Sequence, residues 1–309
     1  MSDVQALHDF NPSKEFFIGI DSDGCVFDSM EIKHKECFTP MFVKHFHLQA
    51  VSKYAREVWD FVNLYSKTRG VNRFPALSRS LNLLRERPQV IARNVKIADT
   101  NALDAWIKRE NKLTNATLKK EIERTPLPAL SPSDWERVAG GRERGALEQV
   151  YQWSLAVNEM IEDIVQGVPP FPFFRESLQK MVAKADAIVV SQTPTEALER
   201  EWAEHGIKPY VKLIAGQELG TKTEHIKFAA AGKYAPEKML MIGDAPGDFK
   251  AAKANGALFY PINPGSEEKS WERFHNEALE RFFAGKFAGD YEEALVKEFD
   301  ACLPEKPAW

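Results

Sequence analysis

The sequence predicts an α/β protein: a doubly wound parallel sheet, interrupted after its first strand by an all-helical insertion. Three observations predict it. Apolar runs of strand length recur at 16–20, 187–191, 211–215, 239–242 and 257–262. They are continuous rather than alternating, as in strands covered on both faces. From the second run onward helical patterns separate them, while 31–167 carries amphipathic helical patterns and no convincing strand.

Bulk composition narrows the class. A chain of 309 residues has material for two domains or one large one, with ample core. Its 44% hydrophobic and 28% charged residues are ordinary for a soluble globular protein. Lysine and arginine number 41 against 45 acids, a formal charge of −4, which argues against a general nucleic-acid or anionic-membrane binder. No apolar run approaches the roughly 18 residues of a membrane span. The start, Met1-Ser2-Asp3-Val4-Gln5, lacks the basic-then-apolar plan of a secretory signal. Three cysteines, Cys25, Cys37 and Cys302, make no disulfide framework. The expected setting is the cytoplasm, with a small-molecule partner, no nucleic acid and no membrane. Nothing in the sequence sets an oligomeric state.

The elements follow in order. Residues 1–14 read as a lead-in to the first strand. Asp28-x-x-Glu31 offers a capped start for a helix to about His47. Helical runs are then predicted over 53–65, 75–85, 102–124 and 146–166, with a capping box at Ser133-x-x-Glu136. Val168-Pro169-Pro170-Phe171-Pro172 reads as a stiff return linker. A helix over 174–185 leads into the second strand. Thr193-Pro194-Thr195-Glu196 then reads as a helix start with Thr193 as its cap, and Thr221-x-x-Glu224 caps another. Two helical patterns after Pro264 close the chain. The expected division is an α/β domain from 1–30 and 168–309, with a helical domain over 31–167.

Chemistry concentrates where strands end. The first strand runs into Asp21-Ser22-Asp23-Gly24, two acids spaced i, i+2, which the pleat places on one side of the chain. Open α/β sheets build their sites at such carboxyl ends. One acid can attack as a nucleophile while its neighbour handles protons. Ser191 and Asp244 also follow apolar runs directly, and Lys222 opens the helix after the 211–215 strand. A lysine in a helix's first turn opposes the helix dipole by roughly 0.3–1 kcal/mol, which makes its position notable. Lys227 is the rival, farther from the strand edge. Asp28 is read as a cap, His34 as structural, Cys25 as packing and the Phe171–Phe174 run as core.

The order Asp21-x-Asp23-Gly24-x-x-x-Asp28, then Ser191, then Lys222, then Gly243-Asp244-x-x-x-Asp248 resembles the motif set of the haloacid dehalogenase (HAD) superfamily. The resemblance covers about 16–33 and 168–262 and implies a Rossmann-like core. The long helical insertion is similar to that superfamily's type-one cap. By resemblance, Asp21 is the nucleophile that forms an aspartyl-phosphate, and Asp23 is the acid and base. Lys222 neutralises the phosphoryl group, and Ser191 and Gln192 hold substrate. Mg²⁺ is held by the Asp21 carboxylate, the Asp23 carbonyl and Asp244, with Asp248 steadying it. An acid at Asp23 points to phosphoester chemistry rather than dehalogenation. Two departures from the pattern, Cys25 for threonine and Gln192 for asparagine, remove no reacting group.

The function these residues imply is Mg²⁺-dependent hydrolysis of a small phosphorylated metabolite. The alternatives are a phosphomutase using the same aspartyl-phosphate, or a catalytically weak binding protein. In the helical insertion, the stretch 61–85 carries Lys67, Arg69, Arg73, Arg79 and Arg85 and no Asp or Glu, in a chain that is acidic overall. That loop, with Thr68, Gly70 and Asn72, is expected to present Arg69 and Arg73 to the rest of the substrate.

Overall fold

The computed structural model describes residues 4–125 and 139–309. Contacts divide the chain into two units: Met1–Met30 with Gly167–Glu305, and Glu31–Gln166 with Lys306–Trp309.

The first unit is built on five parallel strands, β1 (Phe16–Ile20), β2 (Ala185–Val190), β3 (Leu213–Ala215), β4 (Met239–Gly243) and β5 (Leu258–Pro261), in the order β3-β2-β1-β4-β5. Pleating explains why the strand sequences are apolar without alternation. Phe16, Ile18 and Ile20 enter one core with Phe174, Trp202 and Trp271. Phe17, between them, enters the opposite core with Ile226, Met241 and Phe259. Each face is covered by helices, so a polar side chain on either face would be stranded without water. Asp186 on β2 is buried all the same, and its partners show how this is tolerated. It accepts from the Ser13 amide (2.7 Å) and hydroxyl (2.7 Å), the Lys14 amide (2.9 Å) and the Tyr234 hydroxyl (2.7 Å), and pairs with Lys212 (2.8 Å).

The strand order decides where a site can form. From β1 the chain steps to β2 and out to β3, then crosses to the other side of β1 for β4 and β5. The reversal opens a crevice beyond the carboxyl ends of β1 and β4, the ends followed by Asp21 and Asp244.

The second unit is helical among the described residues and has its own core, with Phe42, Trp59, Phe74, Trp106 and Trp153 buried together. The helix that enters it begins at Ser29, in the last two residues of the first unit's opening segment, and runs to His45, passing through a π-helical stretch at Lys33–Phe38. There the Nδ1 of His34 accepts from the Trp59 indole at 3.0 Å. The run expected over 102–124 is two helices, Asn101–Arg109 and Asn115–Arg124. The break falls where Thr114 and Thr117 form a reciprocal capping box, with amide-to-hydroxyl distances of 3.1 and 3.2 Å. Threonine in place of the usual glutamate hid this cap from the sequence pattern. The box expected at Ser133 and Glu136 lies outside the described residues. The final four residues, expected in the α/β domain, group with the helical unit instead. There the Trp309 ring lies 4.3 Å from the Arg87 guanidinium and 5.5 Å from the Phe61 ring. No helix among the described residues is long and apolar enough to cross a membrane.

Candidate active site

β1 ends at Ile20, and Asp21 keeps its amide on the β4 ladder, donating to Ile242 O at 3.0 Å. The chain then coils tightly. Ser22 O accepts the amides of Cys25, Val26 and Phe27, and Gly24 takes φ 74°, where a side chain is strained. Two buried tryptophans brace this loop: the Trp202 indole donates to Ser22 Oγ (3.0 Å) and the Trp271 indole to Cys25 O (2.7 Å). Cys25 itself is fully buried, and burial pushes its thiol well up. It packs rather than reacts.

Four charged groups converge here. Lys222 Nζ lies 2.7 Å from Asp21 Oδ2 and 2.6 Å from Asp248 Oδ1. Asp21, Asp244 and Asp248 are buried and offer carboxylate oxygens that all lie within 4.8 Å of one another. The other oxygen of Asp21 accepts the Ser22 amide at 2.8 Å. Lys222 owes its place to the helix Lys222–Ala229, whose capping box is made by Thr221 and Glu224. Asp248 sits at the third position of the helix Pro246–Ala254, where its Oδ2 accepts the Ala245 amide at 3.0 Å. Gly243 makes room for it: a Cβ there would lie 2.4 Å from the Cβ and Cγ of Asp248.

The electrostatics follow from burial. Burial pushes the Asp21 carboxyl well up, Lys222 pulls it back, and Asp248 and Asp244 push it up again. Burial disfavours the Lys222 ammonium, but Asp21 and Asp248 outweigh that and hold its pKa above the ordinary value. One turn on, burial and the Lys222 charge lower the pKa of His225 to about 4, so it adds no second cation near neutral pH. Three carboxylates around one ammonium leave the ionised cluster net negative. Close-set oxygen donors with surplus negative charge suit a hard divalent cation such as Mg²⁺.

Asp23 is held differently. Its Oδ1 accepts from the Ser29 hydroxyl and its Oδ2 from the Thr193 hydroxyl at 2.6 Å. Thr193, expected to be a helix cap, does not serve as one. The helix starts at Thr195 with Pro194 in the cap position and no capping side-chain bond, and Glu218 instead accepts the Thr195 amide (2.9 Å) and hydroxyl (2.8 Å). The signal for Thr193 was its i, i+2 spacing from Ser191, which repeats that of Asp21 and Asp23. Nothing comparable pointed to Ser29 or to the space behind Gly243, because both depend on contacts rather than pattern.

The remaining expected residues are placed as follows. Ser191 is buried at the end of β2, and its Oγ accepts the Thr193 amide at 3.2 Å. The Gln192 amide bridges Ser191 O (3.2 Å) and Gly220 O (3.0 Å), joining the loops after β2 and β3. Arg69 and Arg73 lie in the helical unit, on the expected inter-helix loop and at the start of the helix Arg73–Glu86. Arg69 is buried, with Nη1 donating to Leu64 O at 2.9 Å. Arg73 Nη1 donates to Asn158 Oδ1 (2.7 Å) and Ser154 Oγ (3.0 Å), and its guanidinium sits 5.2 Å from the Phe38 ring.

Fold and site define a Rossmann-like α/β protein with a lysine-bridged carboxylate cluster at the switch point of its sheet. No family model matches the sequence, and no curated protein matches it. Among solved structures it is similar to a haloacid dehalogenase-like hydrolase from Streptococcus pneumoniae, at 14% identity over 85% of this chain and 91% of that one, TM-score 0.40. It is also similar to a protein provisionally assigned as a phosphoglycolate phosphatase from Lactobacillus delbrueckii subsp. bulgaricus (16%, 85% and 92%, TM-score 0.42). A third is provisionally assigned as a beta-phosphoglucomutase from Bacteroides vulgatus (15%, 92% and 95%, TM-score 0.44). Likeness of this degree assigns neither activity nor substrate to the chain.

Proposed function

We propose that this chain is a HAD-type, Mg²⁺-dependent phosphatase of small phosphorylated metabolites, working through an aspartyl-phosphate. The observation that carries the reading is the convergence of Asp21, Asp244, Asp248 and Lys222 at the carboxyl edge, with Asp23 two residues past Asp21.

A carboxylate oxygen of Asp21 attacks phosphorus, and the bond to the leaving oxygen breaks with its electron pair on that oxygen. Asp23 gives the leaving oxygen a proton. Water then attacks phosphorus, Asp23 takes a proton from it, and Asp21 leaves as a free carboxylate with inorganic phosphate released. Lys222 holds Asp21 in place and neutralises charge on the phosphoryl oxygens. The Ser191 hydroxyl, its oxygen already engaged by the Thr193 amide, has its own hydrogen to offer a phosphoryl oxygen. Mg²⁺, held by Asp21, Asp244 and the Asp23 carbonyl with Asp248 beside it, would supply further charge neutralisation and orientation. The bonding of Arg69 and Arg73 supports an architectural role for both, with substrate contact as the competing proposal. Three free cysteines agree with a cytoplasmic setting.

The test is inorganic phosphate release over a panel of phosphorylated metabolites, with and without Mg²⁺. Release that requires Mg²⁺ is the expected result. No release from any phosphomonoester, by a folded protein supplied with Mg²⁺, would overturn the reading. Slow release beside fast phosphoryl exchange on one sugar would mark a mutase.

A further inference from the structure

We propose that Thr193 is a positioning residue for Asp23, holding the proton-carrying carboxylate in register with the Asp21 nucleophile. The inference rests on the reading of Asp23 as acid and base given above. It begins from an asymmetry in the site. Asp21 is held by an amide and an ammonium, both of which can only donate. Asp23 is held at both oxygens by hydroxyls, Ser29 on one and Thr193 on the other.

A hydroxyl can turn round. It donates to a carboxylate and accepts from a carboxylic acid without moving its oxygen. Each hydroxyl fixes the place of one oxygen of the Asp23 carboxylate.

The two hydroxyls come from different parts of the chain. Ser29 is six residues from Asp23, at the start of the helix that follows the same loop, whereas Thr193 is 170 residues away, beyond β2. Thr193 therefore ties the Asp23 carboxylate itself to the loop after β2. Its own place is well determined. Its amide donates to Ser191 Oγ at 3.2 Å and its carbonyl accepts the Gln217 amide at 3.1 Å. Glu218 fixes Thr195 two residues on. Gly216 lets the end of β3 press against this loop, since a Cβ there would lie 2.4 Å from Thr195 Oγ1 and 2.7 Å from Thr193 O. The helix that follows makes no use of the Thr193 side chain.

Thr193→Val removes the hydroxyl and keeps the shape, Thr193→Ser keeps the hydroxyl, and Thr193→Ala repeats the loss without a second methyl group. Two readouts apply to each: the Asp23 side-chain conformation in a crystal structure, and kcat for an alkyl and an aryl phosphate. In the valine and alanine variants the Asp23 carboxylate should leave its place. The alkyl phosphate, whose leaving oxygen needs a proton, should lose roughly tenfold to a hundredfold in kcat and the aryl phosphate much less. Serine should restore both. An Asp23 that stays in place in the valine and alanine variants would overturn the inference, as would equal losses with the two substrates. If the wild type hydrolyses neither substrate, the phosphatase reading falls, while the crystal structures still decide whether Thr193 holds Asp23.

Discussion

Exchanging one oxygen of Asp21 for an amide nitrogen keeps the shape of the side chain and removes its nucleophilicity. Asp21→Asn should lower kcat by several orders of magnitude with the fold intact by circular dichroism. Near-normal turnover in that variant would remove the covalent mechanism. At Arg73 the two roles separate cleanly. Burial lowers its pKa to about 10, and its Nη1 serves Ser154 and Asn158 on the long helix Ala139–Ile164. Arg73→Ala should therefore lower unfolding free energy by about 2 kcal/mol. It should change kcat/KM alike for a metabolite and for an artificial aryl phosphate. A loss confined to the metabolite would assign Arg73 to substrate binding instead.

Two elements carry more than their own packing. The turn from β4 into the helix Pro246–Ala254 works only because Gly243 leaves room for Asp248. Gly243→Ala should push Asp248 off Lys222 and lower kcat/KM about a hundredfold, the scale on which displacements near 1 Å act. Activity within a few-fold of wild type would show that Asp248 is dispensable. At the opposite end of the sheet, Asp186 pins the segment before β1. Burial alone would raise its pKa, but Lys212, Ser13 and Tyr234 outweigh it and hold the carboxyl below the usual range. The sign follows. The clasp contributes fully above the unfolded carboxyl value near about 3.9 and is lost as pH falls through the lower folded value. Asp186→Asn should cost about 3 kcal/mol near pH 7. The difference from wild type in chemical denaturation should shrink below about pH 4. A difference that stays constant down to pH 2 would contradict the clasp.

On the scale of the whole molecule, a cation that binds the carboxylate cluster binds only the folded chain. At a hundred times its Kd, Mg²⁺ should therefore stabilise the protein by about 2.7 kcal/mol. Calorimetry should show the melting temperature rise with Mg²⁺ and return with EDTA. Asp244→Ala should abolish the response. An equal response in Asp244→Ala would place the cation elsewhere. This readout does not depend on turnover, so it tests the metal site apart from the reaction. The insertion leaves the α/β unit after Met30 and returns at Gly167, so the cluster's residues all come from the α/β unit.

The order of strands and helices, and the acids at the ends of β1 and β4, were determined by local sequence. A buried parallel strand must be apolar on both faces, which leaves its polar successor conspicuous, as at Asp21, Ser191 and Asp244. Thr221 and Glu224 announced their helix for the same local reason, since a capping box lies within one turn. Contacts across the chain were not legible. Thr193 reads as a cap until Asp23, 170 residues earlier, is seen at its hydroxyl. Arg73 reads as a free cation until Asn158 closes on it. Gly243 reads as a turn residue until Asp248 fills the space beside it. Sequence reports a residue's type and its neighbours along the chain. Hydrogen bonds and excluded volume between distant segments exist only once the sheet has set those segments side by side, so the tertiary structure alone decided which side chains support the site.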